Sequence, residues 1–257
     1  NHKNVLKMIL LKSNAEIAIM KENRQMLAEA FERLEEVSKP VISTKDIDKV
    51  VEDIILSYSA VPSFKNYRGF PAAACVSVNT EVVHGIPSAK RILEEGDIVS
   101  VDMGAYKNGF HSDAARTFAV GKISDEAQRL IDVTKQSFFD GFAQAKPGNR
   151  LSDISAAVQK CAESAGFGVV RDLLGHGIGR SLHEEPNVPN YGVPGKGPKL
   201  RAGLVIAVEP MITLGDYRVN TLADQWTVVT RDGKLSAHYE NTIAITADGP
   251  VILTVRD

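Results

Sequence analysis

Val101-Asp102-Met103-Gly104-Ala105-Tyr106-Lys107-Asn108-Gly109-Phe110-His111-Ser112-Asp113 is the stretch on which the fold turns. Asn108-Gly109 is a strong hairpin signal, because a two-residue type I′ turn needs positive φ at both central positions. With these two residues at the turn, Lys107 faces Phe110, Gly104 faces Asp113 and Asp102 faces Ala115. Strand residues alternate sides, so Asp102 and Asp113 project from one face as diagonal neighbours about 7–8 Å apart. Gly104, opposite Asp113, is expected to leave open space beside both carboxylates. Two like charges on one face repel unless something positive lies between them. A solvated outer face and a metal site both meet that condition, although Ile98, Val99, Val101 and Met103 argue that both faces are partly buried.

Outward from the hairpin, strand-like runs cover Ala73–Val78, Ile98–Ala105 and Phe110–Val120. Ahead of them, Asn14–Val37 reads as one amphipathic helix, with Ile17, Met20, Leu27, Phe31 and Leu34 on its apolar stripe. Ser13 and Glu16 form a capping box, and Pro40 stops the run. A second helix spans Lys45–Tyr58. The order then recurs: helices at Asp125–Gln144 and Asp153–Ser164, strand runs at Val169–Arg171, Leu204–Ile212 and His238–Thr246. Lys39, Pro40, Asp46, Ile47 and Val51 map onto Lys146, Pro147, Asp153, Ile154 and Val158, each pair offset by 107. The expectation is an N-terminal segment, residues 1–12, followed by one catalytic domain over 13–257, duplicated internally as about 13–120 and 125–250. A pocket at the seam would draw residues from both halves.

Composition bounds the function. The 257 residues are 44% hydrophobic and 24% charged, typical of a globular domain. Thirty basic against 32 acidic residues give a net charge of −2, without the basic footprint of a DNA or RNA binder. No apolar run approaches the roughly 20 residues of a membrane span. Asn1–Leu11, with Lys3 and Lys7, does not read as a signal peptide. Cys75 and Cys161 stand outside any CxxC pattern, so a reducing cytoplasm is expected and Cys75 is not read as a nucleophile.

Gly175-His176-Gly177-Ile178-Gly179-Arg180-Ser181-Leu182-His183-Glu184-Glu185-Pro186 sets two histidines seven residues apart in a glycine-rich stretch. That spacing misses the i, i+4 pair of a helical zinc motif. Glu209, within Val205–Ile212, and Glu240, within His238–Ile245, interrupt apolar runs. A carboxylate there is costly to bury unless it is paired or bound to a metal.

The ordered set resembles the type I methionine aminopeptidases over about residues 14–254: His84 in Val82-Val83-His84-Gly85-Ile86-Pro87, Asp102 with Asp113, His176 with His183, then Glu209 and Glu240. The resemblance implies an α/β (α+β) pita-bread fold, with two pseudo-symmetric halves whose curved antiparallel sheet is backed by helices. It implies metal ligation by Asp102, Asp113, His176, Glu209 and Glu240, and catalytic roles for His84, His183 and Glu209. Tyr67, Phe70, Cys75, Leu182 and Trp226 would line the methionine pocket, and Asn79 with Ser236 would hold a monovalent cation. The chain has no room for the insertion of type II relatives.

Four carboxylates and one imidazole suit Mn²⁺, Fe²⁺, Co²⁺ or Zn²⁺. Two divalent ions balance the four acidic charges, and ions roughly 3.5–4 Å apart would activate a shared water at neutral pH. By resemblance, Asp113 and Glu240 are shared by both ions, Asp102 completes one, and His176 with Glu209 completes the other. Glu209 would shuttle the proton, His183 would donate to the oxyanion, and His84 would contact the scissile nitrogen. The substrates would be N-termini of nascent proteins, with a small second residue preferred. A transient ribosome contact, a monomeric state and no membrane partner are further expectations. His111 and His238 are expected in supporting or surface positions, Glu184 and Glu185 in solvent, and His2 in a loose terminus. Two rival readings compete with this one. A proline-specific peptidase of the same fold usually has a longer gap between the two histidine segments. A metal-free RNA- or ribosome-binding paralogue would have lost ligands.

Overall fold

The computed structural model describes residues 8–256, so His2 and the segment's first seven residues lie outside the described residues. Three helices open the chain: α1 (Asn14–Glu22), α2 (Arg24–Val37) and α3 (Thr44–Ser57). The single helix expected over 14–37 is two, parted at Asn23. Its buried side-chain amide donates to Ser112 Oγ at 3.1 Å, a tertiary contact that outweighs continuous helical periodicity. The capping box of Ser13 and Glu16 is formed.

The short β1 (Val61–Pro62), β2 (Ala74–Val78), β3 (Glu81–Val83), β4 (Ile98–Lys107) and β5 (Phe110–Ala119) follow. The β4–β5 ladder has the expected register, with Gly104 opposite Asp113 and Asp102 opposite Ala115. Asn108 and Gly109 carry φ of 53° and 87°, as a type I′ turn requires. Strands β1 and β2 flank β4 antiparallel. The inner faces of α2 and α3 bury Leu27, Leu34, Ile47 and Ile55 against Val99, Val101 and Met103.

Helices α4 (Asp125–Ala143) and α5 (Leu151–Ser164) open the second part of the chain. Positions offset by 107 do equivalent work: Asp46 caps the Ser43 amide and Asp153 the Arg150 amide. Ile47, Val51, Ile154 and Val158 are all buried. Ten short strands follow: β6 (Gly168–Val169), β7 (Gly175–Gly177), β8 (Glu184–Val188), β9 (Val205–Val208), β10 (Met211–Thr213), β11 (Val219–Thr221), β12 (Val228–Thr230), β13 (Ser236–His238), β14 (Asn241–Thr246) and β15 (Gly249–Ile252). They form antiparallel ladders in the orders β15-β14-β9-β7-β8, β13-β10-β6 and β11-β12-β3. Phe138 and Ile154 pack on Ile206, Val208 and Ile243 from this side. The expected strands 204–212 and 238–246 are each broken, at Glu209-Pro210 and at Tyr239-Glu240.

The two parts meet at Ala115. Its amide donates to Glu240 O at 3.1 Å and its carbonyl accepts from the Glu240 amide at 3.0 Å. Asp102 and Glu240 therefore flank Ala115 on opposite sides. Arg116 tightens the seam by donating to Glu240 O at 2.6 Å and Asn241 Oδ1 at 2.8 Å. Thr242 Oγ1 donates to Asp113 O at 2.8 Å and accepts from its amide at 3.1 Å.

Candidate active site

The seam brings all five expected ligand residues together. Asp113, His176, Glu209 and Glu240 each offer one donor atom, all within 4.8 Å of one another. Asp102 and Glu240 form a second such group with His238. His176 is held on β7, between β8 and β9. Its Nδ1–H donates to Gly177 O at 2.9 Å, which leaves Nε2 3.4 Å from both Asp113 Oδ2 and Glu209 Oε2. Glu209 projects from the break between β9 and β10, where Asn190 Nδ2 donates to its carbonyl at 3.1 Å. Glycine at 175 and 177 is obligatory for close packing, since a Cβ there would stand 2.3 and 2.2 Å from neighbouring carbonyl oxygens.

The electrostatics suit a divalent cation. Burial pushes the Asp102 and Glu240 carboxyls well above the ordinary carboxylate range, and the Asp113 charge pushes the same way. Burial alone would lower His176, but hydrogen bonds to Asp113 and Glu209 outweigh it and raise the imidazole to about 10. Burial acts upward on Glu209, yet its bond with His176 holds that carboxyl low. Asp102 Oδ1, Asp113 Oδ1 and both Glu240 carboxylate oxygens are buried without a hydrogen-bond partner. Buried polar atoms are normally paired. Unpaired carboxylate oxygens converging with an imidazole suit hard or borderline divalent ions.

A cavity of about 220 Å³ opens onto this cluster. That is smaller than the roughly 300–1,000 Å³ of drug-sized pockets and suits a single side chain. Tyr67, Phe70, Cys75, Leu182 and Trp226 all line it, joined by Phe64 and Arg68, which the sequence reading missed. Phe64 also corrects the expected opening at Gly104: a Cβ there would meet Phe64 Cε1 and Ser63 Cβ at 2.9 Å, so the glycine admits a packed ring. Trp226 stands edge-on to Phe70 with ring centroids 5.2 Å apart. The Cys75 thiol is pushed up by burial and by Asp102, which keeps it protonated and unreactive.

His84 and His183 border the same cavity. His84 has φ of 60°, a left-handed conformation rare outside glycine and asparagine, and burial lowers its pKa. The next residue, Gly85, lies so close to β2 that a Cβ would sit 2.1 Å from Val76 O. His183 stands at the mouth, its ring centroid 4.2 Å from that of His176. Its Nδ1 lies 2.8 Å from Tyr67 Oη. Partial burial and neighbouring His176 lower its pKa, which favours the neutral ring.

A match to the family model of "Metallopeptidase family M24" covers residues 18–247. The chain belongs to metallopeptidase family M24. Within it, 56% identity over 248 residues links the chain to a methionine aminopeptidase of Clostridium acetobutylicum, covering 96% of this chain and 99% of that one. Methionine aminopeptidase 1 of Bacillus subtilis is 51% identical over 247 residues, 96% and 99% of the two chains. The solved methionine aminopeptidase of Thermotoga maritima superposes with a TM-score of 0.95 at 44% identity, covering 97% of this chain and all of that one. The chain therefore has the pita-bread fold of the M24 methionine aminopeptidases, and divalent metal ions are the family's cofactor.

Three further side chains have defined surroundings, of which only Glu184 departs from expectation. Glu184 is not in solvent: with 7% of its side chain exposed, it pairs with Lys12 and accepts the Ser181 amide at 3.3 Å. His111 is half-buried, its Nδ1 2.8 Å from Ser63 Oγ. His238 is 1% exposed and reaches the acidic cluster. Asn79 and Ser236 are adjacent, with the Ser236 amide donating to Asn79 O at 3.0 Å. The Asn79 side chain is already engaged by Asp97 and Ile98, whereas Ser236 Oγ is buried and unpartnered.

Proposed function

We propose that this enzyme removes N-terminal methionine from polypeptides by hydrolysing the first peptide bond, with a small second residue preferred. The carrying observation is a side-chain-sized, largely apolar cavity lined at one end by Asp102, Asp113, His176 and Glu209, four of the five convergent ligand-type residues. An exopeptidase needs that proximity of pocket and cluster, because the scissile bond lies one residue from the free amine.

Asp102, Asp113, His176, Glu209 and Glu240 would hold two divalent ions drawn from Mn, Fe, Co and Zn. When bound, the ions supply Lewis acidity and balance the four carboxylate charges. Glu209 accepts the proton of the attacking water and passes it to the leaving amine. The hydrogen bond with Tyr67 leaves His183 Nε2 free to donate to the developing oxyanion, and His84 contacts the scissile nitrogen. The Asp102 side receives the substrate α-amine. Ser236 Oγ, with main-chain oxygens beside Asn79, would hold a monovalent cation. The chain acts as one domain, duplicated over about 13–120 and 125–250, and as a cytoplasmic monomer that touches the ribosome transiently. Its two free thiols fit a reducing compartment.

Metal-reconstituted protein should release methionine from Met-Ala-Ser, and not from Met-Lys-Ser or Gly-Pro-Met. Cleavage before proline alone would overturn the reading in favour of a proline-specific peptidase.

A further inference from the structure

His238 has no part in that division of labour, yet it is the most enclosed imidazole at the acidic cluster. Only 1% exposed, it is fixed through its backbone: Thr117 Oγ1 accepts from its amide and donates to its carbonyl, both at 2.9 Å. On the other edge of β13, it pairs with Met211. Its Nε2 is buried without a hydrogen-bond partner. That nitrogen lies 3.8 Å from Glu209 Oε1, and the imidazole places a ring nitrogen in one group with carboxylate oxygens of Asp102 and Glu240, all three atoms within 4.8 Å of one another. Asp102 Oδ1 and both Glu240 oxygens are likewise buried and unpartnered. A ring nitrogen sealed from water needs a partner, and the acceptors at hand are these carboxylates. His176 belongs to the other group of donor atoms and is already oriented by Gly177 O.

We propose that His238 is a positioning residue whose single Nε2–H closes on one carboxylate oxygen of the Asp102, Glu240 and Glu209 set and holds that set in the orientation that receives the divalent ions. The inference rests on reading those carboxylates as metal ligands. Outer hydrogen bonds of this kind typically change metal affinity about 10–100-fold. The requirement is a buried N–H at this point, so an amide should replace the imidazole and an alkyl group should not.

The test titrates Mn²⁺ calorimetrically into metal-free full-length wild type, His238→Gln and His238→Leu, with circular dichroism melts to confirm folding. His238→Leu should bind at least one ion about 10–100-fold more weakly, while His238→Gln stays near wild type. Should the leucine variant fail to fold, His238→Met makes the same comparison. Wild-type affinity in the alkyl variant, or equal weakness in the glutamine variant, would overturn the proposal. Electron spin-echo spectra of the Mn²⁺ protein should show one coordinated imidazole in wild type and in His238→Leu. A second imidazole, lost in the variant, would make His238 a ligand and also overturn it. None of these readouts needs turnover. Tight ion binding without methionine release would refute the proposed function alone, and unchanged binding in His238→Leu would refute this inference alone.

Discussion

Asp102 and Asp113 sit inside one unbroken hairpin of two ten-residue strands, whereas Glu209 and Glu240 sit in gaps between strands of three to six residues. The hairpin delivers its carboxylates by local rules: the turn fixes the register, and the register fixes the faces. The gaps deliver theirs where regular strands stop: the chain leaves β9 at Glu209-Pro210, and Glu240 keeps only an isolated bridge, to Ala115. One arrangement is robust and local, while the other depends on partners far away in the chain, such as Asn190 beneath Glu209 and Ala115 beside Glu240.

The largest test of this contrast strikes a gap residue. Glu209→Gln should lower kcat by about 10²–10⁴-fold, the range for a positioned proton-transfer group, while the β4–β5 hairpin keeps its structure. Initial rates on Met-Ala-Ser, with the two-dimensional NMR spectrum as control, check it. Next comes the packing beside His84. Gly85→Ala forces a Cβ onto Val76 O and should cost at least the roughly 1–3 kcal/mol typical of overpacking, read as a fall in the midpoint of urea unfolding. Tyr67→Phe deletes one hydrogen bond to His183, worth about 1 kcal/mol, or about a fivefold loss in kcat. Imidazole ¹⁵N shifts should show His183 Nδ1 losing its hydrogen-bond donor.

The last test concerns protons. Burial raises Asp102 and Glu240, so in the metal-free protein these carboxyls retain protons that a cation must displace. Metal affinity should therefore fall as pH falls, and calorimetry in buffers of different ionisation enthalpy should count protons released. The stability sign is opposite. For carboxyls raised on folding, the contribution is complete below their unfolded-state pKa and is lost as pH rises through the raised values. Bound ions should consequently stabilise the fold most at neutral pH and above.

These differences also explain what could be read in advance. Asn108-Gly109 pinned the hairpin, so every pair from Ile98–Ala119 to Lys107–Phe110 followed from counting. Helix stripes were legible because Ile47, Val51, Ile154 and Val158 recur at helical spacing and are all buried. The break at Asn23 was not, since its cause is Ser112, 89 residues away. The strand end at Glu240 was invisible for the same reason: an apolar run continues through it, and its bridge to Ala115 lies far away in sequence. His238 and Glu184 needed the folded chain, because each derives its importance from a neighbour distant in sequence or from burial.

Ala115 carries a consequence for how such a centre can vary. Asp102 and Glu240 lie one rung to either side of a methyl-bearing residue, so their Cα atoms are separated by two inter-strand spacings, roughly 9–10 Å. Peptide geometry, not any side chain, sets that width. Connecting loops can lengthen or shorten without altering the gauge. A slip of one residue along β5 would carry one acidic group to the wrong side of the sheet and leave the opposing pair unmatched.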